Sequence, residues 1–340
     1  MGGEDRISEL SDDLLIEILL FLPTKDATFL SKRWRFVWRK LPRLDYEETG
    51  NSSSKSVWWL LDESMRFHNA PSIEKLRINL GVQCPVDADV AKCVAKAVDR
   101  CLRKLNFYLD WFGEPITMPK NLYTCKTLTK LVLMGEILVD VPCEADLPSL
   151  YKLVLEDVVF RDEDSHVRLL STCPVLKDLD VTRSYSVYDN LSPGGSHTMV
   201  PWCNAVIYTL LKECVINRFH PDWCESLVVL LSNCPKLEVL MVDSKFKTDW
   251  SENHVPVLWN QPSSVPKCLS SHLMIFKWKA YEGREVEKQL MRYILENSVC
   301  LKRAEITMNS TCNPEEKQKM IDELQAMPCV STSLMCLFFS

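Results

Sequence analysis

The chain has 340 residues, 46% hydrophobic and 25% charged, with a formal net charge of -6 at neutral pH. That length holds more than one domain of ordinary globular balance, and the negative balance gives no support to a general nucleic-acid or anionic-membrane role. No apolar run reaches the roughly 20 residues a bilayer-spanning helix needs, and the start lacks the pattern of a cleavable signal.

Met1-Gly2-Gly3 opens like a myristoylation signal, but Arg6 stands where that motif wants Ser or Thr. The first element is a helix capped by Ser11 or Asp12, with Asp12 and Asp13 at its positive end and Pro23 stopping it. Leu14, Ile18 and Leu22 recur at one helical spacing and Leu15 and Leu19 at the adjoining one, a broad apolar stripe interrupted by Glu17. A second short helix is expected to start near Thr24 to Asp26, and a third carries Trp34 and Trp38 one turn apart on one face. Some forty residues cannot bury that much Leu and Trp alone. Either the rest of the chain covers them or another protein does.

These residues carry a resemblance. Asp5-Arg6-Ile7-Ser8-Glu9-Leu10, Asp12-Asp13-Leu14-Leu15, Ile18-Leu19, Phe21-Leu22-Pro23-Thr24-Lys25-Asp26 and Leu30-Ser31-Lys32-Arg33-Trp34-Arg35 resemble an F-box of the plant F-box/leucine-rich-repeat/FBD family. The resemblance implies docking on the Skp-type adaptor of a cullin ubiquitin ligase, with the remainder of the chain holding the substrate. The adaptor contacts expected are Leu10, Leu14, Leu15, Ile18, Pro23, Leu30 and Trp34, and Leu14→Ala with Leu15→Ala should release the adaptor without unfolding the repeats. The chain departs from the family twice: Ser11 replaces the usual proline, and the segment between Asp26 and Leu30 is about three residues short. At roughly 1.5 Å and 100° per residue, that loss removes nearly a helical turn and rotates the helix that carries Trp34. An interaction scaffold that has lost adaptor binding is therefore the alternative.

After a Ser-rich hinge near Asn51 to Ser56, the middle of the chain repeats itself. Leu170-Ser171-Thr172-Cys173-Pro174-Val175-Leu176 matches Leu231-Ser232-Asn233-Cys234-Pro235-Lys236-Leu237. Similar cores start at Ile73, Leu102, Leu128 and Leu150, at the period of about 22 to 29 residues expected of leucine-rich repeats. Each unit should give one short strand with alternate residues inward, shielded by a return segment. Cys-Pro suits the junction, because proline ends the return helix and cysteine packs close to the turn.

If the leucines point inward, Lys75, Lys104, Lys130 and Lys152 take equivalent outward positions, with Asp178, Val239, Ile275 and Arg303 continuing the column. At a strand spacing of roughly 4.8 Å, four ammonium groups repel unless an anion or acidic segment lies across them. That makes the stripe a candidate substrate face. The opposing reading is that flexible lysines fan into water, where solvent screens them.

Regularity is lost between Leu179 and Leu237. Ser184 to Pro201 is turn-rich and reads as an insertion or a loop over one edge, and Ile207 to Val215 fits either strand or helix. From about Val257, Trp259-Asn260-Gln261-Pro262, Phe276-Lys277-Trp278, Tyr281-Glu282-Gly283-Arg284 and Tyr293-Ile294-Leu295-Glu296-Asn297 resemble the FBD segment of the same family. The pattern there is strand 273–280, helix 285–297, strand 301–308 and helix 314–327, closing one sheet edge.

Fifteen cysteines are odd in number, scattered, and form no C-x-x-C pair, which argues for buried reduced thiols over disulfides or zinc. No phosphate-cradling, metalloprotease or nucleophile-elbow motif occurs. The sequence thus predicts an α/β protein: an N-terminal three-helix F-box (residues 1–46), a hinge and connecting helix (47–72), a leucine-rich-repeat solenoid (73–256) and a C-terminal FBD-like α/β cap (257–340). The expected function is that of a non-catalytic, cofactor-free and metal-free substrate receptor, cytoplasmic or nuclear. Its partners would be a Skp-type adaptor, through it a cullin ligase, and a protein substrate, with no nucleic acid and no membrane.

Overall fold

The structure is a computed structural model that describes residues 10–21, 34–48, 56–110, 114–162, 164–182, 208–217, 223–243, 259 and 261–339. The expected helix near residues 24–26, most of the Ser-rich hinge and the turn-rich stretch 184–201 lie outside them. The chain forms two compact units, Met1–Val175 and Leu176–Ser340. Among the described residues no helix is long and apolar enough to cross a membrane.

The first unit opens with α1 (Asp12–Leu19), whose N-cap is Ser11, its hydroxyl accepting from the Leu14 amide at 3.4 Å. Asp12 also receives the Lys40 ammonium at 2.9 Å, tying the helix start to a 3-10 turn at Trp38–Lys40. That turn continues directly from α2 (Trp34–Val37). Next comes a strand, β1 (Arg43–Glu47), where the sequence predicted only the end of the docking domain. Leu44 and Tyr46 point inward while Arg43 and Glu47 are exposed, an alternation short enough to pass unnoticed beside the helices.

From α3 (Trp58–Phe67) the chain alternates strand and return segment. The strands are β2 (Lys75–Leu80), β3 (Lys104–Leu109), β5 (Lys130–Gly135) and β7 (Lys152–Glu156). With β1 they form a parallel set in the order β1-β2-β3-β5-β7. Shorter strands β4 (Ile116–Thr117), β6 (Ile137–Val139) and β8 (Val159–Phe160) make a second, three-stranded sheet not anticipated from the sequence. Leu102, Leu128 and Leu150, one before each strand, are wholly buried, as are Leu105, Leu131 and Leu153 within them. The return segments differ in kind: α4 (Val90–Val98) buries Val90, Cys93, Val94 and Ala97 at helical spacing, whereas Lys120–Thr124 is a 3-10 turn and α5 (Ser165–Ser171) a short helix.

A polar contact locks the first unit. His68 is 2% exposed; its Nδ1 faces the Arg100 guanidinium at 2.7 Å and its Nε2 the Leu41 carbonyl at 2.8 Å. Arginine can only donate, so Nδ1 accepts, Nε2–H donates, and the ring is neutral. Burial first, and the Arg100 charge further, hold its pKa below the ordinary value, against the opposing pull of the Leu41 carbonyl. The unfolded chain therefore takes up the proton more readily. This contribution to stability is fully present above about pH 6.5, the unfolded value, and is lost as pH falls below it toward the depressed folded value. Glutamine supplies a donor and an acceptor without titrating, so His68→Gln should flatten the fall in melting temperature as the pH drops below about 6.5. Identical acid profiles for the two proteins would contradict this.

Among the described residues the second unit holds a parallel set of six strands in chain order: β9 (Asp178–Thr182), β10 (Glu213–Asn217), β11 (Val239–Asp243), β12 (Ile275–Tyr281), β13 (Arg303–Met308) and β14 (Met335–Phe339). Of the stretch 207–215 that fits either strand or helix, 213–215 are strand and 208–212 a turn and irregular chain leading into it. The connecting helices are α6 (Trp223–Asn233), α7 (Lys267–Ser271), α8 (Glu285–Asn297) and α9 (Pro314–Gln325). Helix α8 has the bounds expected, and α9 is capped by Asn313, which accepts from the Glu316 amide at 2.8 Å while Glu316 accepts from the Asn313 amide at 3.1 Å. Asn313→Ala should cost about 1 kcal/mol, readable by denaturant unfolding. Strand β12 pairs with β11, but β14 then adds a further edge strand beyond the last helix that the sequence predicted.

Candidate docking face and cationic cleft

The two rows of apolar residues on α1 have opposite fates. Leu15 and Leu19 are 0% exposed, packed inward against the chain itself, while Leu14 is 48%, Ile18 38% and Phe21 88% exposed. Phe21 continues the helical path beyond α1, its amide donating to the Ile18 carbonyl at 3.1 Å. Residues 14, 18 and 21 are spaced i, i+4, i+7 and share one face. Leu15 therefore lies behind this row and not on it. Leu10 is half-buried. Trp34 opens α2, while its side chain, Pro23 and Leu30 fall outside the described residues. Trp38, expected to share a face with Trp34, is buried.

The sequence pattern singles out neither Phe21 nor the aromatic cluster nearby. The Arg39 guanidinium lies 5.2 Å from the Phe36 ring centroid and 5.1 Å from that of Phe67, a cation between two π faces. Phe36 and Phe67 are both exposed, as is Trp59 on α3. Large apolar side chains gathered in the open mark a surface that binds something.

The end of α1 also forms one wall of a cleft. Leu19, Leu20 and Phe21 face the first residues of β1, β2, β3, β5 and β7 across a cavity of about 720 Å³. In register across those strands stand Arg43, Lys75, Lys104, Lys130 and Lys152. The four lysines are half-buried at equivalent positions, and Arg43 extends the row by one. The carboxylates lining the cleft, Glu74 and Asp45, face arginines: Arg43 Nε lies 2.9 Å from Glu74, and Arg77 3.6 Å from Asp45. The hydrogen bond from Arg43 holds the Glu74 carboxyl below its usual range, helped by the charges of Arg43, Lys104 and Arg103.

Two residues further along the strands a second cavity, of about 330 Å³, is lined by Asn106, Tyr108, Val132 and Met134 among others. Asn106 borders both cavities, and its Oδ1 is buried without a hydrogen-bond partner. In the second unit the equivalent column reads Asp178, Glu213, Val239, Ile275 and Arg303, so the cationic row is a property of the first unit.

Four of the buried thiols are no nucleophiles in waiting. Burial pushes Cys93 up to about 11 and Cys84, Cys173 and Cys268 up to about 12, far from the depressed values of reactive thiolates. Among the described residues no group of three or more His, Cys, Asp or Glu is placed to hold a metal ion.

Three family models match this chain: "F-box domain" over residues 7–46, "FBD-associated F-box protein At5g56370, LRR repeats" over 90–216, and "FBD" over 261–306. An Arabidopsis thaliana relative, Putative F-box/FBD/LRR-repeat protein At3g49480, is 46% identical, covering 98% of this chain and 96% of its own. A second, Putative F-box/FBD/LRR-repeat protein At5g52460, is 38% identical over 99% of this chain and 96% of its own. A third, Putative FBD-associated F-box protein At1g05080, is 35% identical over 99% and 98%. The folded units and these matches define a repeat protein that carries an F-box at one end and an FBD at the other. The chain belongs to the F-box/FBD/LRR-repeat protein family.

Proposed function

We propose that this protein is the substrate-recognition subunit of a Skp-cullin-F-box ubiquitin ligase, acting in the cytoplasm or nucleus. The observation that carries the reading is the exposed row Leu14, Ile18 and Phe21 within the segment that matches an F-box. The architecture that goes with this reading is a three-helix docking domain, a leucine-rich solenoid spanning the matched repeats, and an FBD cap. The receptor contributes proximity: it holds a substrate lysine near a ubiquitin-loaded enzyme and makes no bond itself. Raised cysteine pKa values favour that non-catalytic role, since a thioester-forming thiol needs the opposite shift. The test is titration of the full-length chain with a purified Skp-type adaptor by calorimetry. Saturable one-to-one binding is expected; its absence would leave a repeat scaffold that has lost the ligase through the short segment between Asp26 and Leu30.

A further inference from the structure

We propose that the outer edge of β14 is an interface with a second copy of this chain, the two β14 strands pairing antiparallel about a twofold axis at Leu337. The inference stands apart from the receptor reading and uses only the second unit.

The backbone supplies the first argument. Among the described residues β14 is the last strand of its set, paired with β13 on one side and with no strand on the other. The Met335 amide donates to the Lys302 carbonyl at 2.9 Å. Successive residues of a strand turn their amide and carbonyl to alternate sides, so those of Leu337 and Phe339 also face β13, while those of Cys336 and Phe338 face outward. In an antiparallel pair, two residues directly opposite can exchange both bonds. A twofold axis at Leu337 sets Cys336 opposite Phe338 of the second copy, and Phe338 opposite Cys336 of the second copy. The outward groups of one copy are thus matched by the same groups of the other, which is what an isologous contact requires.

Side chains supply the second. Ala304 and Ile306 of β13 are buried, whereas their register neighbours on β14, Cys336 and Phe338, are exposed and half-buried, so the cover of the core ends one strand short of the edge. On the opposite face Met335 is 60% and Phe339 47% exposed. The twofold lays Met335 against Phe339 of the second copy and Leu337 against its own equivalent, and such cross-strand apolar pairs are stabilising. Charge is the third. An open edge is ordinarily guarded by charged side chains, proline or a bulge, and β1, the edge strand of the first unit, carries Arg43, Asp45 and Glu47 outward. On β14 the register on β13 is unbroken, no Asp, Glu, Lys or Arg stands between Leu324 and Ser340, and no proline follows Pro328. A charged edge would meet its own charge across the twofold; this uncharged strand can lie against a copy of itself without repulsion.

The experiment is sedimentation velocity of the full chain over a wide range of concentration. A reversible shift from monomer to dimer is expected, stopping at two copies because the pairing closes on itself. Two matched double variants fix the register. Met335→Glu with Phe339→Glu places like charges opposite one another and should stay monomeric. Met335→Glu with Phe339→Lys places opposite charges there and should dimerise at least about tenfold more tightly than the first. Both remove the same two exposed side chains, so lost apolar contact weighs equally on each. Amide hydrogen exchange of the native chain needs no variant: protection at Cys336 and Phe338 should rise as the dimer forms. A chain that stays monomeric at every concentration, a dimer indifferent to the charge pairs, exchange at Cys336 and Phe338 that ignores concentration, or assemblies that grow beyond two copies would each overturn the proposal.

Discussion

Leu14→Ala with Ile18→Ala should release the Skp-type adaptor while leaving the first unit folded. Both side chains lie on the open row of α1, 48% and 38% exposed. Alanine keeps the helix, because it has the highest intrinsic propensity. Little core is lost, so the unfolding free energy should move by less than about 1 kcal/mol. Central apolar anchors of an interface cost about 2 kcal/mol or more each when truncated, so the pair should weaken the adaptor complex by some hundredfold or more. Leu15→Ala is the contrasting variant. It empties a site that is 0% exposed and should cost about 2–5 kcal/mol, with adaptor affinity lost only as far as the fold is lost. Combining Leu14 with Leu15, as the sequence alone recommends, would confuse these two outcomes. If Leu14→Ala with Ile18→Ala bound adaptor as tightly as the native chain, the open row of α1 would not be the docking face.

The difference between those pairs shows where the sequence was readable. Period 3.6 places Leu14, Leu15, Ile18 and Leu19 on one broad stripe, but a stripe wider than about 100° has an inner and an outer half. Which half turns inward depends on what packs against it, and α1 packs against α2 and the adjoining 3-10 turn, contacts far weaker in the sequence than the stripe itself. The strands were legible because period 2 and repeated leucines act together, and the predicted lysine column comes at once from that alternation. Arg43 and Glu213 escaped because their strands lack the full L-x-x-L-x-L pattern: β1 is Arg43-Leu44-Asp45-Tyr46-Glu47 and β10 is Glu213-Cys214-Val215-Ile216-Asn217. The cleft was not legible at all. Its second wall comes from the end of α1, more than fifty residues before Lys75, and no local pattern reports that approach.

Gly135→Ala should unfold much of the first unit. Gly135 closes β5 with φ +92°, and a Cβ built there meets the Leu109 carbonyl oxygen at 2.0 Å and its carbon at 2.9 Å. Neither partner has room to yield. Leu109 is 0% exposed, it stands opposite Gly135 in the β3–β5 register, and its oxygen already accepts from the Glu136 amide at 3.1 Å. A non-glycine residue in the left-handed region costs about 1–3 kcal/mol, and forcing an atom into a packed site adds about 1–3 kcal/mol. The sum, some 2–6 kcal/mol, is a large part of the 5–15 kcal/mol by which native domains are typically stable. Gly283→Ala is the internal comparison. Its φ is +70°, but the added Cβ meets the Met320 Sδ at 3.0 Å, the far end of a flexible side chain. It should therefore cost only the backbone strain, about 1–3 kcal/mol. Equal denaturation midpoints for the two variants would show that β5 rearranges around a side chain at 135 and that the glycine is not what fixes the strand.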